Sequence, residues 1–352
     1  MHLRSQLIKI ALKRTFSHAI RGNLLFKNNA IHMVLILSSV TSTTTKLRTG
    51  LRSIAHLLHN KAKILYSSNG LYAVDKPVDI LSHPNKPDDV QRSVVCGQYN
   101  TNEEKFECQV PTSSGGKETV YLINRLDSAT SGIILMTTDA AVAKIIKKLF
   151  VERKIVKTYK AIVFCDRKIE SSERSNLWED AMQVQKIRGS NRAIKCDISS
   201  QSAMFAVTDA TIADPKLYSL GSDRKNAKDL MLVELKPKTG YTHQLRHQCA
   251  LHEMPIVGDK TYGNFKKNRA FEAASKAYST PVDTEINQSA DTLDTDVQEI
   301  HKIKNINSKR MMLHSYSIQF SYDHNDIKHD FKAVSKLPTE FKIILDYSYN
   351  AS

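Results

Sequence analysis

From residue 61 onward the chain alternates short apolar runs with polar turn signals, and the apolar period lengthens to that of a helix in two clear places. GLYAVDKP (Gly70 to Pro77) reads as a strand closed by a proline that has no N–H to give to a ladder. After Thr138, a good N-cap residue, Val142, Ile145, Ile146, Leu149 and Phe150 recur at helical spacing. IVKTYKAIVF (Ile155 to Phe164) and MLVELKP (Met231 to Pro237) are β-branched strands, and the long polar stretch between them carries no pairing signal. Thr242 to Glu253 predicts a second helix, opened by Gly240 and Thr242 and followed by Pro255. MMLHSYSIQFSY (Met311 to Tyr322) returns to strand alternation.

Two stretches break this pattern. Lys86 to Lys117 is polar with little periodicity and reads as a loop or small excursion. Asn264 to Arg310 is polar, acidic and poor in large apolar residues, so it cannot offset its ordering entropy; residues 266–308 are expected to be a disordered surface insertion. What remains, 61–350, predicts one α+β domain. No internal repeat is visible.

Charge changes the picture at the N-terminus. The chain of 352 residues carries 51 Lys and Arg against 36 Asp and Glu, a net charge of +15. Eleven of those cations precede Asp75, the first acidic residue, which leaves the rest of the chain at only +4 (15 − 11). Residues 1–60 thus have the composition of an organellar transit peptide, with a solvated basic arm for RNA or acidic lipid as the alternative. No apolar run approaches the roughly 20 residues of a membrane span. Five scattered cysteines without a C-x-x-C pair fit neither a disulfide framework nor a zinc ribbon.

Two segments hold candidate chemistry. In INRLDSATSGIILM (Ile123 to Met136), Asp127 stands between an apolar run and a Ser, Thr and Gly turn. Its carboxylate is either presented to a ligand or caps its own turn, and local spacing does not choose between them. In KTGYTHQLRHQCALHEMPIVGDKTYG (Lys238 to Gly263), His243, Arg246 and Ala250 share a helical face, with His247 one turn beyond His243. Two His at i and i+4 can bind zinc, but the Glu of H-E-x-x-H and a third ligand are missing, so no metal is expected and Arg246 is the more useful group, as a fixed cation.

These segments carry a resemblance. NRLDSATSG is similar to the H-R-L-D-x-x-T-S-G signature of the RluA-type RNA pseudouridine synthases. LYAVDKPVDILSHP resembles the family's opening strand and Lys-Pro turn, VKTYKAIV its Lys-x-Tyr-x-Ala-x-Val strand, TGYTHQLRHQCALHEMPIVGDKTYG its T-G-R-T-H-Q-I-R helix and Pro-Ile-Val-Gly-Asp turn, and RMMLHSYSIQF its closing strand. Asn124 replaces the usual His and Tyr241 the usual Arg, which points to a divergent branch with different RNA contacts.

The resemblance implies the pseudouridine synthase fold, a mixed, largely antiparallel sheet in two halves flanked by helices around a central catalytic cleft. It implies isomerisation of uridine to pseudouridine in structured RNA (rRNA, tRNA or mitochondrial mRNA) with no cofactor, and beside the transit-like leader it looks like the organellar branch, in the mitochondrial matrix; a monomer is expected. Breaking the bond from N1 to C1′ develops positive charge on the ribose, which an ionised carboxylate can stabilise or attack. By resemblance that carboxylate is Asp127, with Arg246 beside it and Tyr159 over the target uracil. Arg125, Thr130, His243, Gln244 and Leu313 would hold the substrate. The rival reading is an RNA-binding or ribosome-assembly factor on the same scaffold whose catalysis has lapsed, and a base-releasing hydrolase is a third.

Overall fold

A computed structural model describes residues 54–109, 116–165, 174–219, 229–277 and 309–347. The chain divides after Ser53, and the unit from Ile54 onward contains all the described residues. Most of the basic leader lies outside them. Its last residues do not behave as a leader: Ile54, Leu57 and Leu58 are buried against Tyr72, Val94 and Phe106, so the fold starts at Ile54 rather than at residue 61.

Among the described residues thirteen strands form one sheet, with the main path β3 (Gln98–Asn100), β4 (Lys105–Gln109), β5 (Lys117–Leu122), β6 (Ser131–Thr137), β12 (Leu313–His324), β7 (Val156–Phe164), β11 (Asp229–Pro237), β10 (Met204–Ser219), β8 (Ser175–Ile187), β9 (Ser190–Lys195). β1 (Lys63–Ser68) pairs with β2 (Leu71–Lys76), β2 with β6, and β13 (Ile327–Val334) with β12. Every pairing of these strands is antiparallel except that of β6 with β12. With α1 (Ala140–Val151), α2 (Gln244–Leu251), α3 (Phe265–Ala277) and α4 (Thr339–Tyr347), this is the expected α+β architecture with a mixed, mostly antiparallel sheet.

The two halves of the sheet meet at β6. It is buried along its length, and because side chains alternate, Ile133 and Leu135 join Leu71, Val142 and Ile146 on one face while Ile134 and Met136 join Val74, Phe106 and Val120 on the other. Each such side chain contributes about 1.5–3 kcal/mol by leaving water. The parallel seam is short: His314 lies opposite Ser131 and Ser315 opposite Gly132. Gly132 is obligatory there, because at φ 108° a Cβ would lie 2.2 Å from the Ser315 carbonyl oxygen.

Two polar stretches prove to be structured. Lys86 to Lys117 holds a short 3-10 turn (Pro87–Arg92) and strands β3 and β4, in which only Phe106 and Cys108 supply buried apolar alternation. The start of the expected insertion is helix α3, whose Phe271 and Ser275 are buried and whose Phe271 ring packs edge-on to Phe164. Residues 278–308 of that insertion lie outside the described set. The helix after Thr138 begins one residue later than expected: Asp139 caps it, accepting from Ala141 N (2.7 Å) and Val142 N (3.2 Å). No helix among the described residues is long and apolar enough to cross a membrane.

Candidate active site

Asp127 lies on the loop between β5 and β6, and the sequence around it explains why that loop is fixed. Ile123 N donates to Leu135 O (3.0 Å), and the Asn124 amide oxygen accepts from Leu135 N (2.7 Å). Ser82 Oγ donates to Leu126 O (2.7 Å) and accepts from Leu126 N (2.9 Å). Thr130 N donates to Asp127 O (3.0 Å) and closes the turn. Beneath it, fully buried Lys76 of the Asp-Lys-Pro turn donates to Pro77 O (2.9 Å), Ile80 O (2.7 Å) and Ser128 O (3.1 Å). Burial pushes the Lys76 amine down to about 7, against the charges of Asp127 and Asp79. Three carbonyl acceptors match the three N–H groups of the charged form.

The cation beside Asp127 comes from the other half. Helix α2 is entered through His243, whose φ of 57° is left-handed and uncommon for a side chain of that size. One turn in, Arg246 is 8% exposed and serves two carboxylates at once. Its Nη1 donates to Asp127 Oδ2 (2.9 Å), while Nε and Nη2 form a bidentate pair with Asp259 Oδ2 (2.8 Å) and Oδ1 (2.9 Å). Burial opposes the charge of Arg246, but hydrogen bonding and attraction from Asp259, then Asp127, outweigh it and raise its pKa. For Asp259 burial likewise works against ionisation, and Arg246 with the N–H groups of Thr261 and Tyr262 overcomes it, holding the carboxyl below its usual range.

Asp259 is the residue that sequence reasoning did not assign. It lies in the Pro-Ile-Val-Gly-Asp turn, where an Asp looks like a simple turn former, and it does accept from Thr261 N (2.8 Å) and Tyr262 N (3.1 Å). Helix α3 holds that turn from behind: Asn268 accepts from Gly258 N (2.8 Å) and donates to Asp259 O (3.0 Å).

The remaining expected residues divide by position. His243 Nε2 is 3.7 Å from Asp127 Oδ2, and its Nδ1 is 3.0 Å from the Tyr262 hydroxyl. Burial lowers the His243 pKa; Asp127 and Asp259 oppose the drop, and Arg246 and Arg192 add to it. Tyr159 lies on β7 opposite Ser315. Burial pushes its hydroxyl up to about 12, a hydrogen bond with Ser315 works the other way, and the charge of Asp127 adds to the rise. Leu313 is buried in the same apolar cluster that Tyr159 packs against. Arg125 is exposed, with Nη1 3.5 Å from His83 Nε2, and the His83 ring stacks on Tyr99 at 4.6 Å.

Thr130 and Gln244 are turned into the protein. Gln244 accepts from Thr239 Oγ1 (2.8 Å) and Tyr241 N (3.1 Å) and donates to Thr208 Oγ1 (3.0 Å), so it braces the start of α2 rather than reaching outward. Tyr241 packs on Met182, Ala193 and Ala206. The structure therefore unites Asp127, Arg246, His243 and Tyr159, and adds Asp259, Tyr262 and Lys76.

Residues 70–251 match the sequence model of a family described as RNA pseudouridylate synthase. A tRNA pseudouridine synthase C of Yersinia pestis is 30% identical over 208 residues, covering 59% of this chain and 72% of that protein. A ribosomal large subunit pseudouridine synthase C of Rickettsia conorii is 27% identical over 201 residues, 57% of this chain and 56% of that one. Among solved structures, human RNA pseudouridylate synthase domain containing 4 aligns with 18% identity and a TM-score of 0.48 over 86% of this chain and 98% of its own.

Proposed function

We propose, from the premise that this chain belongs to the RNA pseudouridylate synthase family and is an RNA pseudouridine synthase, that Asp127 is the carboxylate which acts on the ribose of the target uridine. The observation that carries this is the unequal use of its two oxygens. Arg246 fixes Oδ2 at 2.9 Å, while no hydrogen bond reaches Oδ1 among the described residues. A carboxylate so held is aligned and still has lone pairs for a reacting atom.

The reaction breaks N1–C1′, turns the uracil and joins C5 to C1′, after which C5 gives up its proton. Asp127 either bonds to C1′ or takes the C2′ proton; both use the same free oxygen, and both return it unchanged. With its hydroxyl raised to about 12, Tyr159 stays protonated at neutral pH, so it offers the uracil a ring face and a hydrogen-bond donor rather than a standing base. The target nucleotide has to leave its stack to reach these groups, at a cost of a few kcal/mol.

For the substrate we propose structured RNA, tRNA or rRNA, with mitochondrial RNA as its setting and the mitochondrial matrix as its location. The eleven cations and absence of acid before Asp75 support that setting. Mapping pseudouridines in total RNA from cells with and without the protein tests the reading. Loss of discrete sites, in organellar RNA above all, is expected; an identical map would contradict it. Fusing residues 1–60 to a reporter checks import separately.

A further inference from the structure

Three buried cations, Arg246, Lys76 and Arg310, are already engaged inside the protein, while Arg125 on the Asp127 loop is exposed. Arg246 gives three N–H groups to Asp127 and Asp259, Lys76 gives its three to backbone carbonyls, and Arg310 pairs with Glu340 (3.1 Å) and donates to Ser131. None of them is left to meet the phosphates that any RNA brings on either side of its reacting sugar.

Arg192 is different. It stands on β9, the edge strand of the β8–β9 hairpin, opposite Gln185, is half-buried, and makes no ion pair among the described residues. The hairpin is fastened to the site. Ala193, the next residue, donates its N–H to the Tyr262 hydroxyl (2.7 Å), and that hydroxyl is 3.0 Å from His243 Nδ1. His243 Nε2 in turn lies 3.7 Å from Asp127 Oδ2. Met182, Ala193 and Ala206 pack on Tyr241 and Tyr262, which keeps the strand from swinging away. The positive charge of Arg192 is close enough to His243 to disfavour its protonation.

We propose that Arg192, held on this anchored edge strand, contacts a phosphate flanking the target uridine. The proposal rests on the catalytic reading of Asp127 for which nucleotide is held, but not for whether RNA is held. A guanidinium attracts phosphate most strongly where its charge is not already neutralised, and Arg192, with no ion pair among the described residues, meets that condition. The contact would position the backbone and carry no base information, so it would act equally on all substrate sequences.

Binding of unmodified tRNA transcripts to the full chain, measured between 50 and 200 mM salt, tests this in wild type, Arg192→Ala and Arg192→Lys. Removing one phosphate contact should flatten the slope of log K against log salt by about 0.7–0.9, and Arg192→Lys should restore most of it. In turnover, KM should rise several-fold with a smaller fall in kcat. An unchanged slope and KM in Arg192→Ala, or a kcat loss with KM unmoved, would overturn the phosphate role. The binding slope needs no turnover. A wild type that forms no pseudouridine yet loses its slope with Arg192 would sink the catalytic reading and leave the contact standing.

Discussion

Asp127 and Asp259 share one guanidinium but live in opposite surroundings. The Asp259 side chain is 1% exposed and both oxygens are engaged, Oδ2 by Arg246 Nε and Oδ1 by Arg246 Nη2 and the N–H groups of Thr261 and Tyr262. The Asp127 side chain is 28% exposed, meets only one arm of the same Arg246, and keeps an oxygen without a partner among the described residues. Bidentate geometry and burial make the Asp259 pair a fixture of the fold, whereas the single contact of Asp127 leaves it the access to a ligand that the proposed role as reagent requires. Arg246 is thus held by the closed carboxylate and, in the proposed reading, positions the open one for the reaction.

The largest way to break this contrast is to remove the closed partner. Asp259→Ala should destabilise the protein by about 3–5 kcal/mol, because it leaves Arg246 buried with two of its three hydrogen bonds unmade. Denaturant midpoints would show it; a near-neutral midpoint with activity lost would mean that Asp259, too, is a reagent. Arg246→Lys keeps the charge but cannot span two carboxylates, so it should cost about 2–3 kcal/mol in stability and lower turnover as well. Full activity and stability in that variant would show that the fork geometry is irrelevant.

A smaller effect probes the seam on which both halves depend. Ser131 Oγ accepts from Arg310 Nη2 and shares a hydrogen bond of 2.8 Å with His314 Nδ1, so a cation and the ring converge on one buried hydroxyl. Burial, with the Arg310 charge, lowers His314 from 6.5 to about 3. Between those values the unfolded state binds the extra proton, so stability is full above pH 6.5 and is lost as pH falls toward 3. Going from pH 7 to pH 5 should cost about 2 kcal/mol. His314→Gln should flatten that limb; an equally steep limb in the variant would place the titrating group elsewhere.

Legibility in the sequence followed the chemistry of each element. β2, β7, β11, β12 and α1 were readable from their apolar positions, and α2 from Gly240 and Thr242 before it and Pro255 after it. β3, β4 and α3 were not, because β3 buries none of its residues, β4 buries only Phe106 and Cys108, and α3 is tied to the Asp259 turn by a polar side chain, Asn268. Asp127 and Arg246 stood out through their motifs, and the structure joins them across 119 positions of sequence. Asp259 looked like a turn residue since it is one, and its second duty exists only once α2 has packed over it. Gln244 shows the converse: a polar residue inside a motif invites a substrate role, yet its groups are engaged with Thr239, Tyr241 and Thr208.

The central claim is that the open carboxylate does the chemistry. Single-turnover formation of pseudouridine by Asp127→Asn, a nearly isosteric change, measures it on an RNA that wild type modifies. The account predicts a rate lower by about a thousandfold or more, with RNA affinity and unfolding midpoint close to wild type. Product formed at the wild-type rate would contradict it.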